Sequence, residues 1–361
     1  MNIALQVAQT SLFGSFLSIH FFFLPVPLPL QVSMDFVPSA FLEHLIDTLS
    51  ISMLHALKEL CGRCGQLAQR AINYRATHWI TVHEGLQKSS YLQYECKERG
   101  QREHDKVEDV PKRYIRNVAV ALYDSQVENV SREVMRKYRN AYFHFWLGSS
   151  SINEAWVDLA YSLKRLGSIL LDRKLDDEAL RLFQKLVDGR KLSTLIITSG
   201  AYEGAIVGIC KSLLLQDQFK MIEFRNFGRH LKDGSVRELL ETWSANNEQL
   251  RGKGFNVALG CESAVKELEQ FVRRGTVTPC EKEESKFRDM EHSQVTDFKP
   301  LYVYRYEEGE EGDKRKFYIS FKCAQNERHT VEGKFSTNRR SVLCQLHCEC
   351  VCAKYIRVAF A

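Results

Sequence analysis

Cys61-Gly62-Arg63-Cys64 sets two thiols at the spacing that binds zinc or cycles between dithiol and disulfide. Zinc needs a second pair at suitable spacing, and a redox couple needs a thioredoxin-like surround. The sequence offers neither, so the pair reads as two cysteines on a helical turn. Further on, Cys344, His347, Cys348, Cys350 and Cys352 supply enough ligands for a tetrahedral ion on paper. In a strand, however, Cys348, Cys350 and Cys352 would all project from one face, unlike a structural zinc knuckle. That tail reads as unstructured, and neither a metal nor any other cofactor is assigned. Gly200, Gly204 and Gly208 follow a strand-like run, where glycines can wrap an anion at a helix N-terminus. Their G-x-x-x-G-x-x-x-G spacing matches neither the dinucleotide fingerprint nor the P-loop. The simpler expectation is that these small residues let a helix pack close to a sheet. No G-x-S-x-G, H-E-x-x-H or kinase signature occurs. Single histidines beside apolar residues, such as His44 and His144, read as locally hydrogen-bonded. The chain is read as non-enzymatic.

These residues must be positioned by elements whose class the composition bounds. The 361 residues suffice for a sizeable core, and 44% hydrophobic with 26% charged residues is ordinary for a globular protein. The net charge of +5 is spread along the chain, whereas nucleic acid requires a clustered basic face, so no nucleic-acid partner is expected. Eleven cysteines, mostly single and within apolar runs, point to a reduced interior rather than a disulfide framework. This fits a cytoplasmic or nuclear protein. The first 33 residues carry no Asp, Glu, Lys or Arg. They lack the basic start and small-residue cleavage site of a signal peptide. His20 and three prolines interrupt them as a membrane span. They read as an apolar leader, or as translation upstream of a start at Met34.

From about residue 116 the sequence alternates regularly. Strand-like runs occur at 118–123, 142–147, 168–172, 194–198, 220–225 and 255–259, with centres about 25 residues apart. Amphipathic helices intervene, on Trp156, Leu159, Ala160 and Leu163, then Leu180, Phe183, Leu186 and Val187. Three more use Ile206, Ile209, Cys210 and Leu213; Val236, Leu239, Leu240 and Trp243; and Val265, Leu268, Phe271 and Val272. Ser151-Ile152-Asn153-Glu154 and Ser235-Val236-Arg237-Glu238 match the capping box, and Gly189 and Gly275 punctuate helix ends. Strands joined through one helix pair in parallel with right-handed crossovers. Near-equal repeats favour a solenoid with helices on one face. Taking Phe145, Ile169, Ile197, Ile222, Phe224 and Val257 as facing the helices leaves His144, Trp146, Asp172, Thr198, Glu223, Arg225 and Asn256 on the opposite face, as candidates for binding a protein partner.

Before the repeats, Met34-Asp35-Phe36-Val37-Pro38-Ser39-Ala40-Phe41-Leu42, followed by Leu45, Ile46, Leu49, Leu54, Leu57, Leu60 and Cys61, resembles a degenerate F-box. It looks most like the F-box-related proteins of nematodes, which begin with such a Val-Pro-x-x-Phe segment and carry a leucine-rich-repeat-like region. Valine stands where leucine usually precedes the proline, and Gly65-Gln66-Leu67 replaces the aromatic-containing end. The resemblance implies that Pro38, Phe41, Leu42, Leu45, Ile46 and Leu49 dock on the Skp-type adaptor of a cullin ubiquitin ligase, while the repeats hold a protein substrate. A plain scaffold, with these helices capping the array, is the alternative; a βα enzyme is a third.

The expected fold is therefore α/β: short F-box-like helices, a leucine-rich-repeat-like parallel βα array, and a small C-terminal β-hairpin region. The boundaries are 1–33 for the leader, 34–75 for the F-box-like segment and 76–115 for a connector. The array covers 116–276, a charged linker 277–299, and the hairpin with its Cys-rich tail 300–361.

Overall fold

The computed structural model describes residues 37–60, 62–96, 110–123, 129–226, 231, 233–280, 302–310, 314–323 and 353–361. The apolar leader, Cys61 and the Cys344–Cys352 cluster lie outside these residues. The described residues form an α/β structure around one 12-stranded, mostly parallel sheet.

Three short helices open it: α1 (Ser39–Thr48), α2 (Ile51–Lys58) and α3 (Gly62–Tyr74). Pro38 stands at the N-cap of α1, and the Ser50 hydroxyl caps α2 by accepting from Met53 N. The α3 stripe of Cys64, Leu67, Ala68, Ala71 and Ile72 is buried, together with Leu42 and Ile46 of α1 and Leu54 of α2. Their contact is close. A Cβ on Gly65 would fall 2.0 Å from Leu60 O, so only glycine lets α3 start against the end of α2.

The stretch read as a connector is instead part of the sheet. Strands β1 (Ala76–His83) and β2 (Leu86–Tyr94) form an antiparallel hairpin. Its two-residue turn, Glu84-Gly85, has positive φ at both positions, the geometry that matches strand twist. The array then runs β3 (Ile115–Leu122), α4 (Asn129–Lys137), β4 (Tyr142–Leu147), α5 (Glu154–Ser162), β5 (Leu166–Leu171), α6 (Asp177–Asp188) and β6 (Thr194–Thr198). It continues with α7 (Ala205–Leu214), β7 (Met221–Arg225), α8 (Ser235–Ala245), α9 (Asn247–Leu250), β8 (Gly254–Ala258) and α10 (Glu262–Val272). Strands β1 and β3 to β8 are parallel neighbours in chain order. Each crossover therefore turns the same way and leaves its helix on the same face. The packing agrees. Phe145, Ile169, Ile197, Ile222, Phe224 and Val257 join the helix residues in one core cluster, whereas Leu170, Ile196 and Met221 on the opposite face do not. Each Leu or Phe fully buried in this cluster contributes roughly 1.5–3 kcal/mol.

The C-terminal part is a second correction. The hairpin of β10 (Tyr302–Glu308) and β11 (Arg315–Cys323) forms as its alternation implies, but it belongs to the same sheet. Strand β12 (Ala353–Phe360) lies antiparallel between β8 and β11, and β9 (Thr276–Pro279) closes the far edge. The stretch 353–360 is thus the joint of the sheet. Trp243 on α8 packs beneath it, 4.8 Å from the Phe317 ring and 5.9 Å from that of Phe360. Helix starts also differ from the expected boxes. Asn153, not Ser151, caps α5, and Gly234 precedes α8, with Ser235 its first helical residue.

Candidate partner-binding surfaces

Among the described residues no helix lies on the second face of the sheet, and strand register arranges its side chains in rows. One row passes through Trp79, Ala119, His144, Ser168, Thr194 and Met221. The next passes through Ala121, Trp146, Leu170, Ile196, Glu223, Asn256, Arg357 and Ser320. All seven sequence-derived candidates belong to this face, and register brings two of them, Glu223 and Asn256, side by side. Thr198 is likewise opposite Arg225.

Contacts on this face are polar and incomplete. His144 Nδ1 meets the Ser168 hydroxyl at 2.8 Å, and the ring stacks over Gly167, where a Cβ would fall 2.4 Å from it. Burial drops the His144 pKa to about 4, so the ring is neutral near pH 7. Thr198 Oγ1 donates to Asp172 O at 2.8 Å. Arg225 Nε donates to Glu223 Oε1 at 2.7 Å, and Arg357 Nε donates to Asn256 Oδ1 at 3.1 Å. Glu223 is 3% exposed and Asn256 0%. Four buried nitrogens lack any partner: His144 Nε2, Trp146 Nε1, Arg225 Nη2 and Asn256 Nδ2. Each belongs to a residue selected from the sequence. An unmet buried donor costs about 1–3 kcal/mol, which an acceptor from another molecule would recover. Arg357 and Ser320 escaped sequence reasoning, although the run Tyr355-Ile356-Arg357-Val358-Ala359-Phe360 carries a strand's alternation.

The F-box-like stripe is divided between two environments. Leu42 and Ile46 are core, and Leu49 packs partly buried against it. Pro38 and Phe41 face outward, and Leu45 is half-buried. Phe41, Met53 and Leu60 keep 47%, 43% and 45% of their surface open. Two arginines that the sequence did not single out hold α1 against the sheet. Arg75 donates to Leu49 O at 2.7 Å and Ile46 O at 2.8 Å, and lies 3.8 Å from Glu95. Arg116 pairs with Asp47 at 3.0 Å and also donates to the Asp47 carbonyl. These guanidinium groups satisfy carbonyls that the C-terminus of α1 leaves unpaired. Burial lowers the Arg75 pKa and raises that of Glu95, each partly offset by the other's charge.

The remaining chemical motifs do not assemble. Cys64 is buried, and burial raises its thiol pKa. Gly204 caps α7 at φ 62°. A Cβ on Gly208 would meet nothing within 4 Å, so the small residues do not serve close packing on the sheet. With Ala205 and Ser212, Gly208 instead lines an open groove of about 680 Å³ beside α6. Among the described residues no group of three or more His, Cys, Asp or Glu could hold a metal ion, and no helix is long and apolar enough to cross a membrane. No protein-family model, curated protein or solved structure matches the chain.

Proposed function

We propose that this chain is a non-enzymatic interaction scaffold, an F-box-type substrate-recognition subunit of a cullin ubiquitin ligase. In this reading the βα units are a leucine-rich-repeat-like solenoid whose helix-free face holds a protein substrate. The helices α1 to α3 dock on a Skp-type adaptor, in the cytoplasm or nucleus. The observation that carries it is the set of unmet donors on His144, Trp146, Arg225 and Asn256, spread along one sheet face rather than converging on a reactive centre. Exposed Phe41 and Met53, on helices tied to the array by Arg75 and Arg116, support a second docking surface held in fixed relation to the first. Such an arrangement acts by raising the local concentration of substrate near the ligase.

A specific observation favours the plain scaffold as the second reading: Leu42 and Ile46 are consumed by the core, as an end cap would require. Replacing outward Phe41 and half-buried Leu45 with aspartate separates the two. Loss of co-purification with the adaptor, at an unchanged melting temperature, is the expected result. If the wild-type chain binds no adaptor at micromolar concentration, the ligase role is dropped and the scaffold kept.

A further inference from the structure

We propose that the helix-free face at β7, β8 and β12 recognises an acidic segment of a partner protein, one of whose carboxylates accepts hydrogen bonds from Arg225 and Asn256. The inference rests on the scaffold reading and names the class of partner that it leaves open. Its basis is an imbalance of groups. Register sets Glu223 opposite Asn256, Asn256 opposite Arg357, and Arg357 opposite Ser320, so one polar row crosses four strands. Two guanidinium groups, of Arg225 and Arg357, face the single carboxylate of Glu223. The acceptors are already engaged: Glu223 Oε1 takes Arg225 Nε, and Asn256 Oδ1 takes Arg357 Nε. The donors are in surplus, for Arg225 Nη2 and Asn256 Nδ2 are buried with no acceptor.

What the row lacks is one acceptor and one negative charge, and a carboxylate supplies both. Arg225 keeps 13% of its side chain open and is the point of entry. Its planar fork can hold Glu223 through Nε while offering Nη2 to a second carboxylate. A nucleic-acid phosphate backbone fits less well. Glu223 lies in the floor of the row, and register sets Ile196 and Ser320, rather than further cations, at its two ends.

Fluorescence anisotropy of the full chain with labelled hexaglutamate and hexaglutamine tests this. Hexaglutamate should bind and hexaglutamine should not. Arg225→Met should weaken hexaglutamate binding by about tenfold, the loss typical of a charge-assisted hydrogen bond. Arg181→Met, which removes the same charge from the exposed face of α6, should change it less than about twofold. Glu223→Gln should tighten binding by freeing Arg225, and Glu178→Gln should not, although both raise the net charge by one. Should Arg225→Met unfold the chain, the R225M/E223Q pair leaves no lone buried charge and carries the same comparison. Equal effects at Arg225 and Arg181, or equal binding of the two peptides, overturn the proposal. If hexaglutamate does not bind while a Trp146 variant still loses partner capture, the acidic class falls and the scaffold stands.

Discussion

His78 and His144 are held far from their ordinary protonation range, each by burial. Both ring nitrogens of His78 are buried and unpartnered, the ring stands edge-on to Tyr138 at 5.4 Å, and the charge of Lys137 adds to the effect. Its pKa falls to about 4, as does that of His144. The folded values lie below the unfolded one, so the unfolded chain takes up protons first as pH falls. The associated stability is therefore complete above about pH 6.5 and lost progressively towards pH 4. Between pH 7 and pH 5 each histidine should remove roughly 2 kcal/mol, read as a drop in the urea midpoint. His78→Phe deletes two unpaired nitrogens and should flatten that drop by about half without lowering stability at pH 7; an unchanged slope would refute the assignment. At this scale the sequence was informative about direction only. Alternation assigned Glu223 and Asn256 to the helix-free face. Arg357, which completes their row, is 101 residues from Asn256, a distance no local pattern spans.

Helix α1 is held by groups outside itself. Its apolar stripe supplies only Leu42 and Ile46 to the core, and its last carbonyls depend on Arg75 and Arg116. Arg75→Met should cost about 2–3 kcal/mol, below the range for a fully buried pair because Glu95 keeps 25% of its side chain exposed. Hydrogen exchange should rise first in α1, with β4 to β7 unaffected. Uniform acceleration over the sheet would show that Arg75 supports the whole core instead. Periodicity predicted the helices of the array because each buries one stripe against the sheet. It misplaced two starts because Asn153, which accepts from Trp156 N at 2.7 Å, outcompetes Ser151, and a glycine precedes Ser235. The β1–β2 hairpin went unseen because Leu86–Ser90 is exposed and mostly polar, leaving only Glu84-Gly85 to announce it.

The sheet is built from two runs, β1 to β8 and β9 to β11, joined only through β12. The fit there is tight: a Cβ on Gly254 would fall 2.1 Å from Val358 O, so β8 accepts β12 only where glycine clears the way. Introducing aspartate at Val358, which is 0% exposed beneath the helices, should separate the two runs. Limited proteolysis would then leave the array intact and degrade 302–323; survival of both would mean that the β10–β11 hairpin needs no joint. The position of β12 also orders events during synthesis. Every strand it bridges precedes it, and its contacts with β8 close a loop of about a hundred residues, among the slowest steps available to a chain. The array can mature on the ribosome while the β10–β11 hairpin waits, with the β8 edge open to unintended strands until residues 353–360 emerge. A message cut short before this point would yield a product that keeps its repeats but exposes a sticky margin. The fold thus marks its own unfinished copies for disposal.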